Sequence, residues 1–254
     1  TQCTNNLKQI ALAAHNHHDT FRKLPEAVQM SYFTAPQGQR ASGQDYSQPF
    51  GPNWAALILP FVEQSNIYRQ YNVDDYRKNG SQAWRAMRTL KPKVYQCPSD
   101  AGTRQAFSQA GGGWERGNYA CNAGPTWWYL TPNGIVPNPG FQSDPGYGPA
   151  GPVMSANFGA RLAEITDGTS NTVMFTEVRS GLNPRDIRGT WAMGLPGASI
   201  ICAQAIGDCL YPNDTLPKAD DIQDCNLFWY AEMGPKDRMG CSSDGWMNMQ
   251  AQAR

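Results

Sequence analysis

Histidine occurs at three positions only, His15, His17 and His18, all inside one short run. His15 and His18 stand three residues apart, a spacing that puts two imidazoles on one face of a helix, where they could hold a metal. Asp19 is the one carboxylate beside them and no cysteine is near, so the preferred reading is a polar helix end. Any Ser-His or Cys-His nucleophile would have to use this same run. Ser170 lacks the G-x-S-x-G elbow that would activate it.

The other candidate chemistry is spread more thinly. Asp167, Thr169 and Asn171 place oxygens at alternate positions of one turn, which admits a calcium reading. The distal Glu of an EF-hand does not follow, so an Asp-Gly turn with local hydrogen bonds is the plainer reading. Asp220, Asp221 and Asp224 form a second acidic cluster, read as a solvated loop. Glu63, Glu164, Glu177 and Glu232 are the carboxylates that a glycoside hydrolase pair would need, but no spacing pairs them. Trp114, Trp127, Trp128 and Trp229 fall in or beside loops, as do Tyr129, Trp191 and Trp246. Such rings bind sugars or partner proteins when exposed and fill the core when buried. The glycines at 111–113 fit neither phosphate-binding pattern and read as a surface loop.

Seven cysteines are present, and none forms a C-x-x-C pair, which argues against zinc ribbons and thioredoxin-like redox chemistry. Cys202 with Cys209, and Cys225 with Cys241, could close short disulfide loops in an oxidising compartment. The odd count leaves one thiol over.

The elements that must position these groups follow from periodicity. Leu7, Ile10, Ala11 and Ala14 recur at helical spacing, so residues 1–25 read as an amphipathic helix ended by Pro25. It starts abruptly, as if continuing a longer upstream helix. A strand is expected over 26–33, then a turn-rich loop. Asn53 is expected to cap an apolar helical stretch split at Pro60, and Ser81 to cap a third helix. Residues 94–97 read as a short strand, as do 118–123, 127–130 and 170–178, with 187–192 a candidate partner for the last. Residues 131–152 are dense in Pro and Gly and read as an irregular excursion.

The chain has 254 residues, with 21 basic and 21 acidic side chains and a formal net charge of zero. With no basic run, nucleic acid is not an expected partner. Charged residues make up 17%, below the usual quarter, while Gly, Pro, Trp and Tyr are plentiful. That composition suits an extracellular protein with many ordered loops. The longest apolar run, 55–62, is far short of the ~20 residues a membrane span needs.

Several pieces taken together resemble one family. They are Cys3-Thr4-Asn5-Asn6-Leu7-Lys8-Gln9-Ile10 with the following histidines, the Trp54 to Gln64 run, Cys97-Pro98-Ser99-Asp100, Asn118-Tyr119-Ala120, and residues 163–172. In that order and spacing they resemble the type IV pilin-like proteins abundant in planctomycete-type bacteria, known for a C-terminal His-(nine residues)-Asp-Gly signature. Two departures stand out. The family's cleaved leader and apolar helix are expected upstream of Thr1. Asp244-Gly245 has Gly234, not His, ten residues before the Asp. The chain therefore reads as the middle of a longer precursor.

The resemblance implies an α+β, type IV pilin-like fold, with an N-terminal helix packed on an antiparallel β-sheet and long irregular loops. It implies a single globular head over 1–254. Residues 1–25 would be the C-terminal half of the pilin helix, 26–180 an α/β core, and 181–254 a loop-rich, cysteine-containing tail. Cys3 and Cys97 become a staple from helix to head. The function expected is that of an exported, non-catalytic pilin or pseudopilin subunit of a filament or cell surface. It would self-associate through the helix, with other pilin-like subunits, and meet the membrane only through the upstream segment. No cofactor is expected, calcium excepted. A glycan-binding or adhesin module using the loop aromatics is the second expectation, and a secreted hydrolase the third.

Overall fold

In the computed structural model, the residues described are 2–30, 50–100, 105–123, 128–131, 134–137, 153–181, 184, 187–195 and 198–201. They form an α+β arrangement: one long helix laid against a head of short helices and small sheets.

Helix α1 spans Gln2–Phe21 and buries Asn6, Ile10, Ala13, Ala14 and His17. Leu7 and Ala11 of the expected stripe are half-buried at its flank. The buried line follows the i, i+4, i+7, i+8, i+11 rows of one helix face. Strand β1 (Val28–Met30) pairs antiparallel with β2 (Phe50–Asn53). Asn53 then accepts the Ala56 N–H at 3.1 Å and starts helix α2 (Trp54–Leu57). The long expected helix is three pieces. Pro60 lies in a 3-10 turn, Leu59–Phe61, and Glu63 (φ 62°) turns left-handed before α3 (Ser65–Gln70). Helix α4 (Asp75–Asn79) was not foreseen.

The segment that Ser81 was expected to cap is a 3-10 helix, Ala83–Thr89, with Gln82 at its N-cap, and the expected strand at 94–97 is also largely 3-10, Lys93–Tyr95. The N–H groups of Tyr95 and Gln96 donate back to the Pro92 and Lys93 carbonyls, so a ladder cannot use them. Strand β3 (Tyr119–Asn122) forms as expected. Strands β4 (Trp128–Thr131) and β5 (Gly134–Pro137) make a hairpin where residues 131–152 read as irregular. Strands β6 (Met154–Ser155) and β7 (Phe158–Gly159) form a tight antiparallel pair.

Strand β8 (Phe175–Glu177) runs antiparallel to β3, and β9 (Ile200–Ile201) runs parallel on the other side, a mixed sheet in the order β8-β3-β9. Residues 187–192 do not pair with β8. They bridge instead to Arg116 through Thr190. Helix α1 packs on β8 and on the two 3-10 turns at 59–61 and 93–95.

The core is aromatic. Tyr95 stacks on Trp191 (centroids 5.4 Å), and Trp54 meets Tyr95 and Phe175. A second group joins Phe50, Trp84, Trp114 and Tyr76. Most of these rings also satisfy their polar atom, as buried Tyr and Trp tend to. Tyr95 Oη donates to the Ala55 carbonyl (2.7 Å), Trp54 Nε1 to Ser199 (2.8 Å) and Trp191 Nε1 to Leu90 (2.9 Å).

Candidate functional site

The motif residues singled out in the sequence meet where α1 begins. Cys3 and Cys97 are joined by a disulfide, their Cα atoms 4.8 Å apart. One turn on, Asn6 is 2% exposed. Its Nδ2 donates to the Gln96 carbonyl at 2.7 Å, and its Oδ1 accepts from Gln2 Nε2 at 2.8 Å. Tyr119 Oη donates to the Cys3 carbonyl at 3.0 Å.

The loop after Cys97 is held from behind. Asn118 Oδ1 accepts the Cys97 N–H at 2.8 Å, and Asn118 Nδ2 donates to Asp100 and to the Val178 carbonyl. Asp100 Oδ2 also accepts the backbone N–H (3.0 Å) and the hydroxyl of Ser180. Asn118 can do this because its own backbone sits between two neighbours, donating to Tyr95 and accepting from Val178. Apart from exposed Gln2, the side chains of this clasp are buried or half-buried, where an unmade bond would cost more than a made one contributes.

Beside the clasp lies a cleft of about 580 Å³, lined by the first turn of α1, residues 91–100, residues 115–118 and Ser180. Lys91 pairs with Glu115 at 3.2 Å on its wall. Arg116 is buried, with Nε donating to the Gln105 carbonyl and Nη1 to the Arg188 carbonyl, both at 2.9 Å. Lys93 is exposed and makes no ion pair among the described residues. Glu177 lies close to the two sulfurs. Burial raises its carboxyl above the usual range, and the Asp100 charge adds to this. The sulfurs are bonded to each other, so they offer no thiolate to a metal.

The histidines are elsewhere, nine to twelve residues from Asn6, about 14–18 Å along the helix. His17 is buried against Phe21 and Phe61, with Nδ1 3.0 Å from the Lys23 carbonyl. Burial lowers its pKa, against the opposing pull of that carbonyl. His18 Nε2 accepts the Leu162 N–H at 3.3 Å, and His15 is exposed. His15 and His18 therefore do not share a ligand pocket among the described residues.

The remaining candidates separate. Asp167, Thr169 and Asn171 are exposed, and Asn171 Nδ2 donates to the Asp167 carbonyl at 3.1 Å around Gly168 (φ 89°). Ser170 is exposed on the same turn. Glu164 accepts the Arg161 N–H, and Glu63 is exposed. Trp114 corrects the aromatic-surface expectation: it is 0% exposed, with Nε1 donating to Ala110. Its position after three glycines suggested a loop, but the bridge between Phe107 and Trp114 folds it inward. Trp191 is buried too. Only the backbone of Trp128 is described. Trp127, Trp229, Trp246, Glu232, the acidic cluster at 220–224, Asp244-Gly245, and Cys202, Cys209, Cys225 and Cys241 lie outside the described residues. Cys121 is a buried thiol on β3.

Sequence reading missed Glu26. This 3%-exposed carboxylate accepts from Lys23 Nζ (2.8 Å) and from Arg77 of α4. The i, i+3 Lys-Glu spacing was the available signal.

A family model described as a protein of unknown function (DUF1559) matches residues 1–250. No curated protein and no solved structure matches the chain.

Proposed function

The chain belongs to the DUF1559 family, and from that membership we propose that it is an exported, pilin-like surface subunit whose work is assembly, not catalysis. The observation that carries this reading is the clasp. A 20-residue helix is fixed to the head at its first turn by a disulfide, a buried asparagine and a tyrosine. Its outward face, including Lys8, Leu12 and His15, is left exposed. A helix fixed this way is a spine that can carry a head while packing against other helices. The disulfide supports export, since such bonds persist in oxidising compartments. No described helix is long and apolar enough to cross a membrane, so anchoring in this reading falls to an upstream segment.

A non-catalytic role is supported by how the reactive side chains are used. Two of the three histidines hold backbone groups at the far end of α1, and Asp100 and Glu164 serve as acceptors for nearby donors. In the same reading the DUF1559 chain takes no cofactor, and the turn at 167–171 is a turn.

The test is immunogold electron microscopy on surface-sheared material from cells that make the protein, with wild type and Leu12→Asp compared. Leu12 is 62% exposed, so the charge should leave head stability unchanged. Labelled filaments or surface arrays in wild type, lost in Leu12→Asp, are expected. Native protein recovered only as a free monomer in the medium would overturn the reading.

A further inference from the structure

We infer that Cys3, Cys97 and Glu177 form a zinc site in the reduced chain, before the disulfide has closed. Separate elements bring the ligands together. Cys3 lies on the first turn of α1, Cys97 follows the 3-10 turn at 93–95, and Glu177 ends β8. Glu177 stands opposite Tyr119 in the β3-β8 ladder, and directly opposed residues share a face of the sheet. That is the face from which Tyr119 reaches the Cys3 carbonyl. The two sulfurs and a carboxylate oxygen of Glu177 all lie within 4.8 Å of one another. A tetrahedral zinc site of thiolate and carboxylate ligands has edges of about 3.5–3.8 Å. Reduction lets the sulfurs part to such an edge, and a shift of about 1 Å brings the carboxylate in.

The frame around these atoms does not need the disulfide. Asn6 holds the Gln96 carbonyl, Tyr119 holds the Cys3 carbonyl and Asn118 holds the Cys97 N–H. Hydrogen bonds therefore position the backbone at both cysteines. Ser99 Oγ is 3.2 Å from the Cys3 sulfur and 3.0 Å from the Cys97 sulfur. Its hydroxyl can donate to a metal-bound thiolate, the kind of outer bond that orients a ligand. Cys97 lines the cleft, from which water can supply the fourth ligand. Two thiolates favour zinc over calcium or magnesium, which take oxygen ligands. Ion and disulfide exclude each other, because the ion needs both thiolates. The inference concerns the chain before oxidation, so it stands apart from the assembly reading and from the cofactor-free state of the finished subunit.

The experiment is a zinc titration of the full chain, reduced with a phosphine, in competition with a chromophoric chelator. Wild type, Cys3→Ser and Glu177→Gln are compared, and reading differences subtracts whatever zinc the other cysteines hold. Wild type should bind one equivalent more than Cys3→Ser. Glu177→Gln, which keeps both thiols, should hold that equivalent about tenfold or more weakly, and so separates a three-ligand site from a bare thiol pair. Cobalt in place of zinc should give thiolate charge-transfer absorption that Cys3→Ser lowers. Circular dichroism with and without zinc checks that each reduced chain is folded. Three outcomes would overturn the inference: equal zinc uptake by wild type and Cys3→Ser, Glu177→Gln binding like wild type, or a reduced wild-type head that stays unfolded with zinc present.

Discussion

Asn118 does more with one side chain than any residue the sequence marked for chemistry. It accepts from Cys97 and donates to Asp100 and Val178 while buried. Asn118→Ala leaves those groups with fewer partners and should destabilise the head by about 2–4 kcal/mol, read as a lowered urea midpoint. The pH dependence has two opposed sources. His17 has its pKa lowered by burial, so the unfolded chain binds the proton more readily. Its contribution is full above the ordinary histidine value of 6.5 and is lost as pH falls through it. Glu177 has a raised pKa, so its contribution is present below the ordinary value and is lost as pH rises through the raised one. Denaturation profiles across this range should flatten on the neutral side in His17→Gln and on the acid side in Glu177→Gln. The sequence marked many of the right residues and misjudged their work. Asn, Asp and His were visible as types, but whether an amide meets a ligand or a backbone N–H depends on partners some 20 to 90 residues away.

At the scale of elements, local rules succeeded where the deciding contact was local. The Asn53 cap and the break at Pro60 were legible, because each depends on neighbours within a few residues; the strand at 119–122 was legible from its composition, although its partners lie at 175–177 and 200–201. The 3-10 segments at 83–89 and 93–95 were read as α-helix and strand. Their apolar spacing suits several conformations, and tertiary packing of Trp84 and Tyr95 selects one. The β6-β7 pair is held the same way. Leu24 donates to Ala160 across it, and a Cβ on Gly159 would lie 1.9 Å from the Leu24 carbonyl oxygen. Gly159→Ala must push the end of α1 off the head, and hydrogen exchange should rise across 17–24 before it rises in β3. Trp54 ties α2 to Ser199 and to two aromatic neighbours. Trp54→Ala should cost about 3–5 kcal/mol, measurable as a drop in thermal midpoint.

For the whole molecule, the disulfide joins positions 94 residues apart. Removing it with Cys3→Ser should cost roughly 2–5 kcal/mol, chiefly by freeing the unfolded chain. The same connectivity has a mechanical consequence. A pull applied at the start of α1 passes from Cys3 straight to Cys97, so the chain between them carries no load, whatever becomes of its hydrogen bonds. In single-molecule stretching between the two ends, the oxidised chain should fall short of the reduced one by the contour of that loop, about 330 Å at full extension. The helix, its two docking turns at 59–61 and 93–95 and most of the aromatic core therefore lie in the slack, outside the line of load.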